Sequence, residues 1–157
     1  MKSNRITHLM YSSGNPFGRI MSIIERDRKS ESISDSTKFA EEKFEYWNEV
    51  VKHKNDLDDT HGDSFKATYD FSIPAIQYLQ KLSIPILICY GTKDYSSPFN
   101  DYLRVEMIRQ QKKNFTFKSY IGLDHNFFPL LDSGQPDFDK YNWNYLANDW
   151  LKWINEN

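Results

Sequence analysis

One cysteine, Cys89, stands alone among 157 residues, so no internal disulfide can staple the chain. It lies in an apolar run and reads as a small buried side chain. A lone thiol fits a reducing compartment without demanding one, so the location stays open with the cytoplasm slightly favoured. No stretch approaches the roughly 18 consecutive apolar residues of a membrane span. Met1 leads into a strand-like segment instead of a charged and then apolar signal peptide, so an export signal would have to belong to a longer precursor. Neither sign of charge dominates. The 20 Lys and Arg against 22 Asp and Glu leave a net charge of −2, too few cations to expect a nucleic acid or an anionic membrane as partner.

Aromatic side chains are plentiful, with four Trp, ten Tyr and eleven Phe. Each can bury about 150–250 Å², and most are expected to fill core and interfaces. Length and the 39% apolar content suit one ordinary globular domain over residues 1–157.

Apolar spacing orders the chain into alternating elements. Arg5 to Ser13 reads as a strand, stopped by Gly14, Asn15 and Pro16. Phe17 to Arg28 has helical spacing through Phe17, Ile20, Met21, Ile23 and Ile24, and Lys29 to Asp35 reads as an exposed loop. Thr37 to Lys54 is a second helix with Ala40, Phe44, Trp47 and Val51 on one face and Asp35 or Ser36 as its cap. Asn55 to Ser64 is a polar loop, and Phe65 to Leu82 is partly helical after Pro74. Ile84 to Tyr90 is nearly all apolar, as in a strand covered on both faces of a parallel sheet. Asp101 to Gln111 predicts a helix, Phe115 to Ile121 a strand, and Trp143 to Ile154 a closing helix with Trp143, Ala147, Trp150 and Ile154 on one face. Strands alternating with helices predict an α/β layered domain of three parallel strands with right-handed crossovers. Sheets of this class average about five to six strands, so further strands are expected on the amino-terminal side. The segment 17–64 reads as an inserted helical layer.

In open α/β sheets functional groups gather at the carboxyl ends of the strands. Two positions fall there. Ile84 to Tyr90 runs into Gly91-Thr92-Lys93-Asp94, and Phe115 to Ile121 runs into Gly122-Leu123-Asp124-His125. A carboxylate on one loop can hold the imidazole of the next, fixing its tautomer and freeing the other ring nitrogen to take a proton from a nucleophile.

These stretches, IPILICYGTKDYSSP and SYIGLDHNFF, resemble the last two strands of the α/β-hydrolase fold. RITHLMYSSGNP is similar, more weakly, to the strand after that family's nucleophile helix. The resemblance implies a partial α/β-hydrolase fold, the carboxy-terminal half, with 17–64 as a helical cap insertion shaping the acyl or leaving-group pocket. It implies Asp94 as the triad acid, His125 as the base, no metal or other cofactor, and ester, thioester or peptide-like acyl substrates. It also implies a Gly-x-Ser-x-Gly elbow for the nucleophile, and no serine here sits in that pattern. Ser64, in Gly62-Asp63-Ser64-Phe65-Lys66, superficially resembles the Gly-Asp-Ser-Leu block of another esterase family, but lacks the second glycine and follows a polar loop. Ser12 and Ser13 end a strand without an elbow. The expectation is a serine-hydrolase portion that is inactive alone.

Other readings are blander. Asp94 alone suits a turn, and His125 alone could satisfy a loop carbonyl. Asp124 should point away from the pair. His61 with Asp58, Asp59 and Asp63 matches no metal-ligand spacing and reads as a solvated acidic loop. Thr92-Lys93-Asp94 has a faint likeness to a guanine-reading block without any phosphate loop to support it. His8 and His53 read as ordinary strand and helix residues. The rival function is a noncatalytic binding or assembly module, in which the edge of the Arg5–Ser13 strand pairs with an amino-terminal half or with a second copy.

Overall fold

A computed structural model describes residues 6–31, 38–58 and 62–157. The elements run β1 (Leu9–Ser12), α1 (Arg19–Glu31), α2 (Phe39–Lys52), α3 (Phe65–Phe71), α4 (Ile76–Leu79), β2 (Ile86–Gly91), α5 (Ser97–Arg109), β3 (Phe115–Tyr120) and α6 (Trp143–Glu156). The chain forms two compact units, one built from Tyr78–Asn157 with the segment ending at Gly14, the other from Asn15–Gln77.

The first unit is a three-stranded parallel sheet in the order β1-β2-β3 with flanking helices, as expected of a partial α/β-hydrolase fold. Leu9 pairs with Ile86, and Ile86 with Phe115, so all three strands point their carboxyl ends to one edge. All six residues of β2 are buried. Side chains alternate across a strand: Leu87 and Cys89 join Tyr120, Phe127, Leu146 and Trp153 in one cluster. Tyr90, on the opposite face, donates its hydroxyl to Asp101 of α5, where Leu103 and Met107 are also buried. Each such apolar side chain contributes about 1.5–3 kcal/mol on burial.

The polar tips of the aromatics dock α6 onto β3. The Trp153 indole donates to Thr116 Oγ1 at 3.0 Å, and the Trp150 indole to the Tyr120 hydroxyl at 3.0 Å. That hydroxyl in turn donates to Asp149 Oδ2 at 2.7 Å, while Lys118 reaches Asp149 Oδ1 at 2.6 Å. Burial pushes the Tyr120 phenol well above its usual range, so it stays a donor to Asp149. The face of α6 that packs is Trp143, Leu146, Trp150, Trp153 and Ile154; Ala147, expected inside, is exposed.

In the second unit Ile20, Ile24 and Ala40 form the core, with Met21, Ile23, Tyr46 and Trp47 against it. α1 continues through Lys29 to Glu31, where a loop was expected. Arg28 bonds Glu31, and the Ser30 hydroxyl donates to the Arg26 carbonyl, extending the last turn. Glu31 then accepts from the Ala40 amide at 2.8 Å, supplying the acceptor that α2 needs at its start. The expected caps Asp35 and Ser36, and Arg5 of the first strand, lie outside the described residues. Of the expected face of α2, Ala40 and Trp47 pack inward, whereas Phe44 and Val51 are exposed, at 43% and 44%, and Val50 is buried in place of Val51.

Three boundaries also differ. α3 precedes Pro74, because Ser64 caps it by accepting from the Ala67 amide at 3.1 Å; only the short α4 follows that proline. α5 begins at Ser97, four residues before the expected start, with Pro98 in its first turn, where the missing amide is no loss. Among the described residues the first strand covers Leu9–Ser12, within the expected Arg5–Ser13. No helix among the described residues is long and apolar enough to cross a membrane.

Candidate active site

β2 and β3 are neighbours in the sheet, so the loops that leave their carboxyl ends run side by side. Gly91 is the point of contact. A Cβ there would stand 2.2 Å from the Leu123 carbonyl oxygen and 2.4 Å from that of Asp124. Only glycine lets the His loop lie this close. The two loops are laced together: the Thr92 amide donates to the Tyr120 carbonyl at 3.0 Å and the Lys93 amide to the Leu123 carbonyl at 2.8 Å. In return the Gly122 amide donates to Thr92 Oγ1 at 2.9 Å. Thr92 thus fastens loop to loop, a structural role for the first residue of the Thr-Lys-Asp triplet.

Asp94 follows directly. It is 3% exposed, and its Oδ1 accepts from the Ser96 amide at 2.9 Å. Its Oδ2 lies 3.0 Å from His125 Nδ1. The imidazole is open to solvent, with 61% of its side chain exposed. The hydrogen bond to Asp94 raises the His125 pKa above the ordinary 6.5, against a smaller opposing effect of partial burial. A buried carboxylate holding one nitrogen of an exposed imidazole is an arrangement that can move a proton at the other nitrogen.

The His loop has its own anchors. Asp124 turns away from Asp94: its Oδ1 accepts from the amides of Asn126 and Phe128, at 2.9 and 2.8 Å, and so shapes the turn that carries His125. Phe127 is 1% exposed and sits in a left-handed conformation, φ 63°. Its ring meets Tyr120, Trp143 and Trp150 edge-on at centroid distances of 5.4, 5.7 and 6.1 Å. The Asn142 amide nitrogen donates to its carbonyl at 3.1 Å. The tip is exposed while its stem is buried.

The serines weighed as nucleophiles have other surroundings. Ser64 is spent as the α3 cap in the second unit. Ser13 lies just past β1 with φ 51°, and its Oγ is buried with no partner among the described residues. Ser12, the last residue of β1, pairs with Cys89 in the register. Burial pushes the Cys89 thiol up to about 11, so almost none of it is thiolate near neutrality. Among the acidic-loop residues, Asp63 pairs with Arg19 and Asp58 donates its amide to Asp56, while Asp59 and His61 lie outside the described residues. His53 stacks on Phe65, and His8 meets the Trp153 ring edge-on.

Gly91, Thr92, Ser96, Asp124 and Phe127 were not singled out as functional by sequence reasoning. Asp124 had a usable signal, since Asp commonly accepts from the amide two residues on. The roles of Gly91, Thr92 and Ser96 depend on which loop lies beside them.

The dienelactone hydrolase family matches residues 60–156, a span that holds β2, β3, α6 and both loop tips. No curated protein and no solved structure matches the chain. The family match covers more than half of the 157 residues and agrees with the parallel three-stranded sheet, so the chain belongs to the dienelactone hydrolase family, within the α/β-hydrolase superfamily.

Proposed function

We propose that the chain supplies the acid and base of a serine-hydrolase site that cleaves ester, thioester or peptide-like acyl bonds. The observation that carries this reading is the 3.0 Å contact between buried Asp94 and exposed His125. A carboxylate offers only lone pairs, so the ring carries its proton on Nδ1 and keeps the Nε2 lone pair free. Nε2 takes the hydroxyl proton of a serine as its oxygen bonds to the acyl carbon, and then gives that proton to the leaving group as the old bond breaks. Water repeats the sequence to release the acid. Asp94 stabilises the imidazolium between the two transfers.

No Gly-x-Ser-x-Gly elbow exists in this sequence, and the serine of the reaction is assigned to residues outside it. One amide of the oxyanion hole follows the nucleophile in this fold and is assigned there too; a missing donor alone costs about 2.7–4 kcal/mol of transition-state stabilisation. The chain by itself is therefore expected to be inactive. Treatment with a fluorophosphonate probe tests this, because only an activated serine reacts. Absence of labelling is the expected result, and a labelled serine whose reaction is lost in His125→Ala would overturn the assignment of the nucleophile.

A second reading is favoured by the free side of β1. Among the described residues β1 pairs with β2 alone, so its outer edge offers unpaired amides and carbonyls to another strand. Pairing with an amino-terminal half or with a second copy would use this edge. Light scattering on the purified chain tests it: a dimer or larger species supports edge pairing, and a stable monomer contradicts self-pairing.

A further inference from the structure

We propose that Asn100 is a positioning residue for the Asp94 carboxylate, acting through Ser96; the inference rests on the acid role proposed above for Asp94. Asn100 lies in the first turns of α5 and is 1% exposed. Its amide nitrogen donates to the Gly14 carbonyl at 3.0 Å and to the Ser96 carbonyl at 3.1 Å, with Ser96 Oγ at 3.3 Å. The opposite amide orientation would set an oxygen against two carbonyl oxygens, so the donors define which way the group faces.

Ser96 carries the effect to the acid. Its backbone amide is the donor to Asp94 Oδ1 at 2.9 Å, and its hydroxyl reaches the Ser13 carbonyl at 3.4 Å. One side chain therefore joins the segment after β1, the turn after β2 and the start of α5. With Oδ1 engaged by Ser96, Oδ2 is directed at His125.

Two features argue that this polar knot serves placement more than stability. Asn100 Oδ1 is buried with no partner among the described residues, so the side chain is kept here with one of its polar atoms unsatisfied while its nitrogen holds the Gly14 carbonyl. Ser13, beside Gly14, holds a left-handed φ of 51°, a conformation that persists in a non-glycine residue when its surroundings over-determine it. The Ser13 amide donates to the Cys89 carbonyl at 2.8 Å on one side, and the Ser96 hydroxyl reaches the Ser13 carbonyl on the other. Departures from the usual pairing of buried polar groups are expected at functional sites.

The test follows the His125 Cε1–H resonance by NMR across a pH titration of the whole chain. Wild type is compared with Asn100→Ala, Ser96→Ala and Asp94→Asn, and circular dichroism with thermal melting reports the fold of each. Asn100→Ala should lower the His125 pKa by about 0.5 unit, roughly a threefold loss of proton affinity. Ser96→Ala should shift it less in the same direction, and Asp94→Asn most of all. A folded Asn100→Ala whose His125 titrates as in wild type would reduce Asn100 to a structural residue and overturn the proposal. Should Asn100→Ala not fold, Asn100→Ser, smaller and still polar but too short to hold both carbonyls, takes its place: an unmoved His125 pKa overturns the proposal and a lowered one supports it. An unmoved titration in Asp94→Asn would instead sink the acid role itself, and the inference with it.

Discussion

Gly91 and Leu123 meet backbone to backbone, with room for a hydrogen and none for a methyl group. Through that contact the end of β2 sets how near the loop after β3 can come, and thereby whether His125 reaches Asp94. Gly91→Ala must push apart two backbone segments that hydrogen bonds hold on either side. The expected loss is about 1–3 kcal/mol, the range for overpacking a filled interior. Urea unfolding measures it, and the His125 titration in the same variant should move toward that of a free imidazole. Unchanged stability would mean that the loops separate more easily than this packing implies.

Phe127 should matter as much without touching Asp94. Its ring fills the space among Tyr120, Trp143 and Trp150, and its carbonyl is held by Asn142. Phe127→Ala is expected to cost about 3–5 kcal/mol, the usual range for removing a buried aromatic ring. Hydrogen exchange should speed up over residues 123–128 before it does so in β2. Exchange that rises equally everywhere would show that Phe127 stabilises the unit without anchoring this loop.

Much of this architecture was legible from the sequence, and for definable reasons. The run Ile86 to Tyr90 is apolar at every position, as a strand covered on both faces requires, and all of it is buried. Asp94 and His125 were legible as a pair because each follows a strand by the same kind of turn. The burial face of α2 was legible only in part. Ala40 and Trp47 pack as expected, but Phe44 and Val51 satisfy the same helical period and are exposed, and only the packing of α1 against α2 turns Val50 inward instead. Ala147 failed in the same way, being small enough to sit on either side of the boundary of α6. Asn100 was invisible because a buried amide in a helix has no pattern of its own; its meaning lies in Gly14 and Ser96.

The pair of half-buried Glu106 and exposed Arg109 on α5 sets an expected pH dependence away from the site. Hydrogen bonds from Arg109 first, and then from Gln110, lower the Glu106 pKa from the ordinary 4.5 to about 2. A carboxyl with a depressed folded pKa contributes stability that is fully present above about 4.5 and is lost as the pH falls through about 2. Melting temperatures of wild type and Glu106→Gln should therefore differ above that window and converge below it. His125 works in the opposite direction. Its raised pKa gives stability that is complete below 6.5 and disappears as the pH climbs through the folded value.

The most direct test of the central claim is the tautomer of His125, read from its two ring nitrogens by NMR on nitrogen-15 labelled protein at a pH above its titration. The account predicts a proton on Nδ1, donated to Asp94, and a bare Nε2, with the preference lost in Asp94→Asn. A proton found mainly on Nε2 in wild type would contradict it, because the ring's lone pair would then sit on Nδ1, facing Asp94, with none turned outward to take a proton from a nucleophile.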